Sequence, residues 1–137
     1  PELYVTYANL GVRSIATLLD LILVTSILII TETIFFSSGF YNEKVNMFRV
    51  IVGMFFWVLY NSILESSVFQ ATPGELILKI KVVDLFGKRI GFLRALFRII
   101  STIVSILPFG FGIWYITTDT KKQSWHDLIA GTFVVKK

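Results

Sequence analysis

The sequence predicts an all-α membrane protein: two transmembrane helices, a broken region that is either re-entrant or a third transmembrane helix, and a small β-hairpin at the cytoplasmic surface. Three observations carry that prediction. Of the 137 residues, 55% are hydrophobic and only 16% are charged, against the roughly 45–50% apolar content of an average soluble domain. Two apolar stretches are each long enough to cross a ~30 Å hydrocarbon core at about 1.5 Å per helical residue. The bases are uneven: ten of the thirteen Lys and Arg residues follow position 78.

The chain reads as a single domain over residues 1–137. Helix 1 spans about 11–36 and is apolar apart from Arg13, Asp20 and Glu32. It lacks a basic leader and a small-residue cleavage site, so it reads as a retained span rather than a signal peptide. A polar connection follows, through Ser37-Ser38-Gly39 and Tyr41-Asn42-Glu43-Lys44. Helix 2 spans about 47–69, with no charge between Arg49 and Glu65. Ala71-Thr72-Pro73-Gly74 then supplies turn chemistry.

A surface hairpin is expected over about 76–91. Residues 76–83 partly alternate apolar with polar, Asp84-Leu85-Phe86-Gly87 turns the chain, and Lys88-Arg89-Ile90 returns antiparallel. Thr132-Phe133-Val134-Val135 offers one more strand. The third region, about 92–118, contains Pro108-Phe109-Gly110-Phe111-Gly112, which disfavours a continuous helix. Residues 119–137 form a cytoplasmic tail. Six bases lie between Lys79 and Arg98 and four more follow Asp119. The positive-inside bias puts both groups, and both termini, in the cytoplasm if the third region enters and returns; a full third crossing places the last four bases outside.

Zero cysteines exclude disulfides and thiolate metal sites, and the single His126 excludes a multi-histidine site within one chain. No glycine-rich phosphate loop precedes a helix, so nucleotide binding has no support. The base asymmetry reads as membrane topology and not as nucleic-acid binding. No nucleophile–base pair stands out, and no enzyme activity or cofactor is expected.

The candidate chemistry lies in charges at membrane depth, which are costly and need partners. Arg13 and Asp20 share a helix face, but a rise of about 10.5 Å separates them, so each meets another element. Asn61 and Glu65 form a second polar pair at i and i+4, and Arg94, Arg98, Ser101 and Ser105 form a stripe on the third region. In the two-crossing topology these groups converge in a buried cluster, with Asp20 in reach of Arg94 or Arg98. The plain reading is that the charges dock segments together; the functional reading is an ion or proton pathway. Ser124-Trp125-His126-Asp127 has capping-box spacing, with Gly131 as the stop, which makes Asp127 a helix cap first.

Arg13 at the start of helix 1, Asp20 in its middle, Thr72-Pro73-Gly74, Val82-Val83-Asp84, Arg94-Ala95-Leu96-Phe97-Arg98, Leu107-Pro108 and Trp125-His126-Asp127-Leu128-Ile129-Ala130-Gly131-Thr132 together resemble the RDD family. The arginine and two aspartates that name the family map onto Arg13, Asp20 and Asp127. Glu75 and Leu76 depart from the basic residues many members carry after the Pro-Gly. The resemblance implies a small integral membrane protein, with some members linked to sodium/proton antiport and others to membrane protein complexes. The expected partners are the lipid bilayer and either further copies of the chain or other membrane subunits, in a bacterial inner membrane. The leading expectation is a subunit or accessory factor of a membrane assembly, with Arg13, Asp20, Glu65, Arg94, Arg98 and Asp127 as its charge cluster; the alternative is a small-cation/proton antiporter acting as an oligomer.

Overall fold

The computed structural model describes residues 6–35, 43–106 and 111–137. Helix α1 (Leu10–Phe35) and helix α2 (Glu43–Glu65) dominate it. Each contains a segment long and apolar enough to cross a membrane, Leu10–Ile34 and Met47–Glu65, and only 17% and 11% of their most apolar windows are buried within the chain. The side chain of Asn9 starts α1 by accepting from the Val12 N–H at 3.0 Å, a cap for an otherwise unpaired donor. Near the other end of α1, Glu32 pairs with Arg49 of α2 at 3.7 Å.

Helix α2 begins before and ends before the sequence expectation of 47–69. The hydroxyls of Ser66 and Ser67 turn back to the carbonyls of Ser62 and Leu64, each at 2.6 Å, and Gln70 takes a left-handed φ of 55°. Serine hydroxyls that bond to local backbone compete with helix continuation. The polar connection read over 37–44 falls mostly outside the described residues.

After α2 the chain folds a short helix α3 (Pro73–Ile77), with Thr72 as N-cap and Glu75 closing a capping box. Lys79, at φ 54°, redirects the chain into strand β1 (Ile80–Asp84). Helix α4 (Phe92–Ile106) follows, then the short helix α5 (Phe111–Trp114), a 3-10 turn over Tyr115–Thr117, helix α6 (Trp125–Ala130) and strand β2 (Thr132–Lys136).

The expected hairpin over 76–91 is corrected. Residues 76 and 77 belong to α3, and β1 pairs antiparallel with β2, in register from Ile80 opposite Lys136 to Asp84 opposite Thr132. The return segment 88–90 meets the other side of β1 only at its end, where the Asp84 N–H donates to the Lys88 carbonyl at 2.9 Å, because Gln70 occupies that side at Val82. The Val82 N–H donates to the Gln70 carbonyl at 2.7 Å, and the Gln70 side chain donates to the Val82 carbonyl at 3.3 Å. Asp84 instead closes a turn, its Oδ1 accepting from the Phe86 and Lys88 N–H groups at 2.9 and 2.8 Å. The expected extra strand at 132–135 is the one that forms. Its outer edge is covered in turn by residues 6–8, through Ala8 N–H to Val134 O at 2.9 Å and Lys136 N–H to Thr6 O at 2.8 Å.

The sheet sits against the N-terminal end of α1. Ile80, Val82 and Val134 pack with Ala8, Ala16, Ile90 and Ala95 in one core; Val83, Phe133 and Val135 pack beneath Tyr7 in another. Alternating side chains thus bury both faces of a two-stranded sheet. Helix α4 is amphipathic, with Ala95, Arg98 and Ser101 buried and Leu93, Phe97 and Ile100 exposed. At about 22 Å for its fifteen residues, it is too short to cross a ~30 Å hydrocarbon core alone. The break expected around Pro108 and Gly110 lies outside the described residues.

Candidate functional site

Asp127 is the hub of the charged groups. It stands at the third position of α6, where its Oδ2 accepts from the Ser124 N–H at 3.0 Å and the Ser124 hydroxyl at 2.7 Å. Gly131 ends the helix in the left-handed region at φ 61°, so the capping expectation for residues 124–131 holds. Capping is only half of its work. Arg13 of α1 reaches Oδ2 at 2.6 Å and Arg98 of α4 reaches Oδ1 at 3.0 Å, while the Asp127 side chain is 0% exposed. Arg98 continues the chain through Nη1 to Glu65 Oε1 at the end of α2. One network therefore ties α1, α2, α4 and α6 together. Burial by itself would raise the Asp127 carboxyl, but Arg13 and Arg98 outweigh it and hold the group well below the usual carboxylate range.

Asp20 lies apart from this network, contrary to the expected pairing with Arg94 or Arg98. It is buried against the Thr-Pro-Gly turn, accepting from the Thr72 hydroxyl, the Gly74 N–H at 2.8 Å and the Tyr60 hydroxyl at 3.1 Å. Among the described residues no ion pair reaches it. Three neutral donors replace the guanidinium because the first turn of α3 directs its free N–H and cap hydroxyl at the middle of α1. Gly74 is required for this approach: a Cβ there would stand 2.2 Å from the Ala16 carbonyl oxygen.

Arg94 is also corrected. Its side chain, 48% exposed, faces Asp84 at 3.7 Å and lies outside the network. Of the sequence candidates the structure thus joins Arg13, Glu65, Arg98 and Asp127, leaves Asp20 on its own hydrogen-bonded perch, and removes Arg94. On the expected stripe, Ser101 is buried beside Arg98; the side chain of Ser105 lies outside the described residues.

Sequence reasoning passed over Tyr60 and the role of Glu75. The Thr72-x-x-Glu75 spacing is a readable capping signature, and Glu75 Oε2 accepts from the Thr72 N–H at 3.0 Å. Burial, reinforced by the negative charge of Glu65, pushes the Glu75 carboxyl up to about 7. His126 is driven the other way, down to about 3, by burial and the nearby charges of Arg98 and Arg13, with Asp127 opposing.

These two groups predict an unusual pH profile. Unfolding lets His126 take up a proton below its ordinary 6.5, so its stabilising contribution is complete above 6.5 and is lost as the pH falls toward 3. For Glu75 the folded chain takes up the proton first, near 7, and the unfolded chain only near 4.5, so stability is gained as the pH falls between those values. From pH 6.5 to 4.5 the two contributions oppose each other. Thermal unfolding in detergent should show a weaker pH dependence there than either group alone would give. Glu75→Gln should convert it to a loss of stability toward acid, and His126→Gln to a gain. A profile that neither substitution tilts would contradict both assignments.

A cavity of about 820 Å³ lies among α1, α2, α4 and the segment after it, with Ile99, Thr102, Ile113 and Ile116 in its wall. Arg13, Asp20, Glu65, Glu75, Arg98 and His126 give its charged lining; Leu21, Val24, Leu28, Met54, Trp57 and Val58 supply apolar walls. Among the described residues, one Glu65 oxygen, Oε2, is buried without a hydrogen-bond partner.

The chain matches the RDD family over residues 7–131, which includes Arg13, Asp20 and Asp127. It is 38% identical over 80 residues to the uncharacterized protein YxaI of Bacillus subtilis (strain 168), a stretch covering 58% of this chain and 52% of that protein. The chain therefore spans about half the length of that relative. No solved structure matches it. With the family matched over most of its length and two helices long and apolar enough to cross a membrane, the chain belongs to the RDD family.

Proposed function

We propose that the chain is an integral membrane protein that acts as a subunit or accessory factor of a membrane assembly, with both termini in the cytoplasm. The observation that carries this reading is the Arg13–Asp127–Arg98–Glu65 network. Its buried bases meet buried acids within the chain, which is what docking requires and what a carboxylate exchanging ions does not. Asp20, the acid best placed for such exchange by sequence, is held by three donors from α2 and the α3 turn. The network ties α4 and α6 to two long helices whose apolar faces stay uncovered. Such faces suit lateral packing in a bilayer, where association rests on close van der Waals contact. The bases of residues 79–98 and 121–137 lie on or beside α4 and α6 in the sequence, in keeping with the positive-inside bias. The reading assigns no catalytic step and no cofactor.

A second reading, cation/proton antiport by an oligomer, draws on the acids in the cavity lining, where Glu65 and Glu75 lie beside Arg98. The two readings part in reconstitution. In proteoliposomes containing only this chain, a sodium gradient should drive no proton flux. In mild detergent the native protein should migrate within a larger complex of fixed composition, and reporters fused to either terminus should be active on the cytoplasmic side. Sodium-dependent proton flux from the chain alone, abolished by Glu65→Gln, would replace the first reading with the second.

A further inference from the structure

We propose that residues 66–79 ride in the cytoplasmic leaflet, with Val68, Phe69 and Ile77 against acyl chains and Lys79, Lys136 and Lys137 on the phosphate of an anionic phospholipid. The inference rests on the integral-membrane reading above and deepens it. Depth follows from α1. Glu32, which pairs with Arg49, marks its outer end, and a ~30 Å hydrocarbon core measured from there at about 1.5 Å per residue ends near Val12. Asp20 and the Gly74 N–H bonded to it at 2.8 Å then lie about 12 Å inside the boundary. Ile77 is three residues further along α3, a rise of about 4.5 Å, so it has not left the hydrocarbon. From there the chain exits toward the cytoplasm, because Leu78 and Ile80 pack with Ala8 and Ala16. Gln70, bonded to Val82 of the same core, holds Phe69 near that level.

The exposed chemistry fits that depth. Val68, Phe69 and Ile77 are 80%, 61% and 67% exposed, a costly arrangement in water and an ordinary one against lipid tails. Lys79 follows Ile77 by two residues, the Lys137 N–H donates to the Lys79 carbonyl at 2.7 Å, and Lys136 stands opposite Ile80. All three lysines are exposed, and none belongs to an ion pair among the described residues. Like charges side by side at a strand end repel one another, and a phosphate between them converts the repulsion to attraction. Lysine stems run along apolar surface while the ammonium stays at headgroup level. Tails at Ile77 and a phosphate at Lys79 follow the order in which a phospholipid presents them. An acidic protein surface would suit the lysines but not the apolar side chains at bilayer depth.

The chain has no cysteine, so a bimane label can be placed singly through Phe69→Cys or Ile77→Cys. The labelled proteins are reconstituted in vesicles of equal parts phosphatidylcholine and phosphatidylglycerol, with bromine on the tails of one lipid at a time. Ile22→Cys, exposed on α1, reports insertion of the spans. Lys121→Cys, beside Phe133 on the sheet face turned from α1, reports the aqueous side. Brominated lipid should quench the labels at 22, 69 and 77, and aqueous iodide the label at 121. At position 77 brominated phosphatidylglycerol should act as if enriched at least about fivefold over phosphatidylcholine, the effect of one base near an anionic surface. Replacing the three lysines together by Gln should erase that enrichment while leaving quenching by brominated phosphatidylcholine and the unfolding temperature in place. Iodide quenching at 69 and 77, with bromine quenching kept at 22, would overturn the proposal and spare the membrane reading; loss of bromine quenching at 22 would overturn both. Labels at 69 and 77 shielded from both quenchers would mean that protein covers the segment, which also overturns it. Equal quenching by the two lipids, enrichment that survives the lysine changes, or enrichment that soluble glycerol phosphate abolishes at constant ionic strength would each refute the headgroup assignment.

Discussion

Asp127→Asn should lower the stability of the folded chain by about 3–5 kcal/mol, the cost of breaking a buried ion pair from one side. The carboxylate is fully buried and serves two guanidiniums and the Ser124 cap at once. An amide oxygen can replace one of those acceptor sites but not the charge. Arg98 retains Glu65, whereas Arg13, with a side chain only 10% exposed, keeps the Lys122 carbonyl at 3.1 Å but loses its acid. The stranded cation is therefore the main source of the loss, and Arg13→Leu in the Asp127→Asn background should recover part of it. Arg94→Gln is the control: that arginine is half exposed and faces Asp84 at 3.7 Å, so its removal should cost no more than about 1 kcal/mol. Thermal unfolding of the four proteins in one detergent provides the comparison. Equal losses for Asp127→Asn and Arg94→Gln would mean that Asp127 only caps α6.

How much of this was legible depends on the range over which each signal acts. The two long helices were, because apolar composition is sustained over some twenty residues and survives errors at either end. Their ends were less so: α2 stops at Glu65 because serine hydroxyls and a left-handed Gln70 intervene, and an apolar run through Phe69 masks that local chemistry. Alternation over residues 76–83 marks a strand and the run at 132–135 offers another, but alternation pairs the first with the nearby 88–90 segment. The partner of β1 comes from the far end of the chain, and the nearer candidate at 88–90 is held to a single backbone bond at Asp84 because Gln70 takes the edge at Val82.

The same distinction governs the site. The capping box of residues 124–127 is contained in four letters and was read; the two arginines on Asp127 arrive from residues 13 and 98 and were not. For Asp20, charge complementarity suggested an arginine. The structure supplies a threonine hydroxyl, a backbone N–H and a tyrosine instead, since a helix N-terminus serves a carboxylate without any basic residue. The clue was present in the Thr72-Pro73-Gly74-Glu75 sequence, where a cap, a proline at the first helical position and a glutamate closing the box together announce a helix start.

Gly74→Ala should be as damaging as the loss of Asp127, for a reason of space rather than charge. The new Cβ would stand 2.2 Å from the Ala16 carbonyl oxygen and 2.9 Å from Asp20 Oδ2. The first of these is main-chain helix and cannot rotate away, so α3 must withdraw from α1. Overpacking of this kind costs about 1–3 kcal/mol and sometimes more. Withdrawal also weakens the Gly74 N–H and Thr72 hydroxyl bonds to Asp20, and a hydrogen bond to a charged group is worth about 1.5–3 kcal/mol. Gly91→Ala is the matched control: a Cβ there meets nothing within 4 Å and the position lacks a positive φ, so its effect should stay at about 1 kcal/mol, the cost of alanine at the N-cap of α4. Asp20→Asn should not rescue Gly74→Ala, because the decisive clash is with the backbone of residue 16. Should the Gly74 and Gly91 variants unfold at the same temperature, α3 does not rest on α1 at this distance and the hydrogen-bonded seat assigned to Asp20 is wrong.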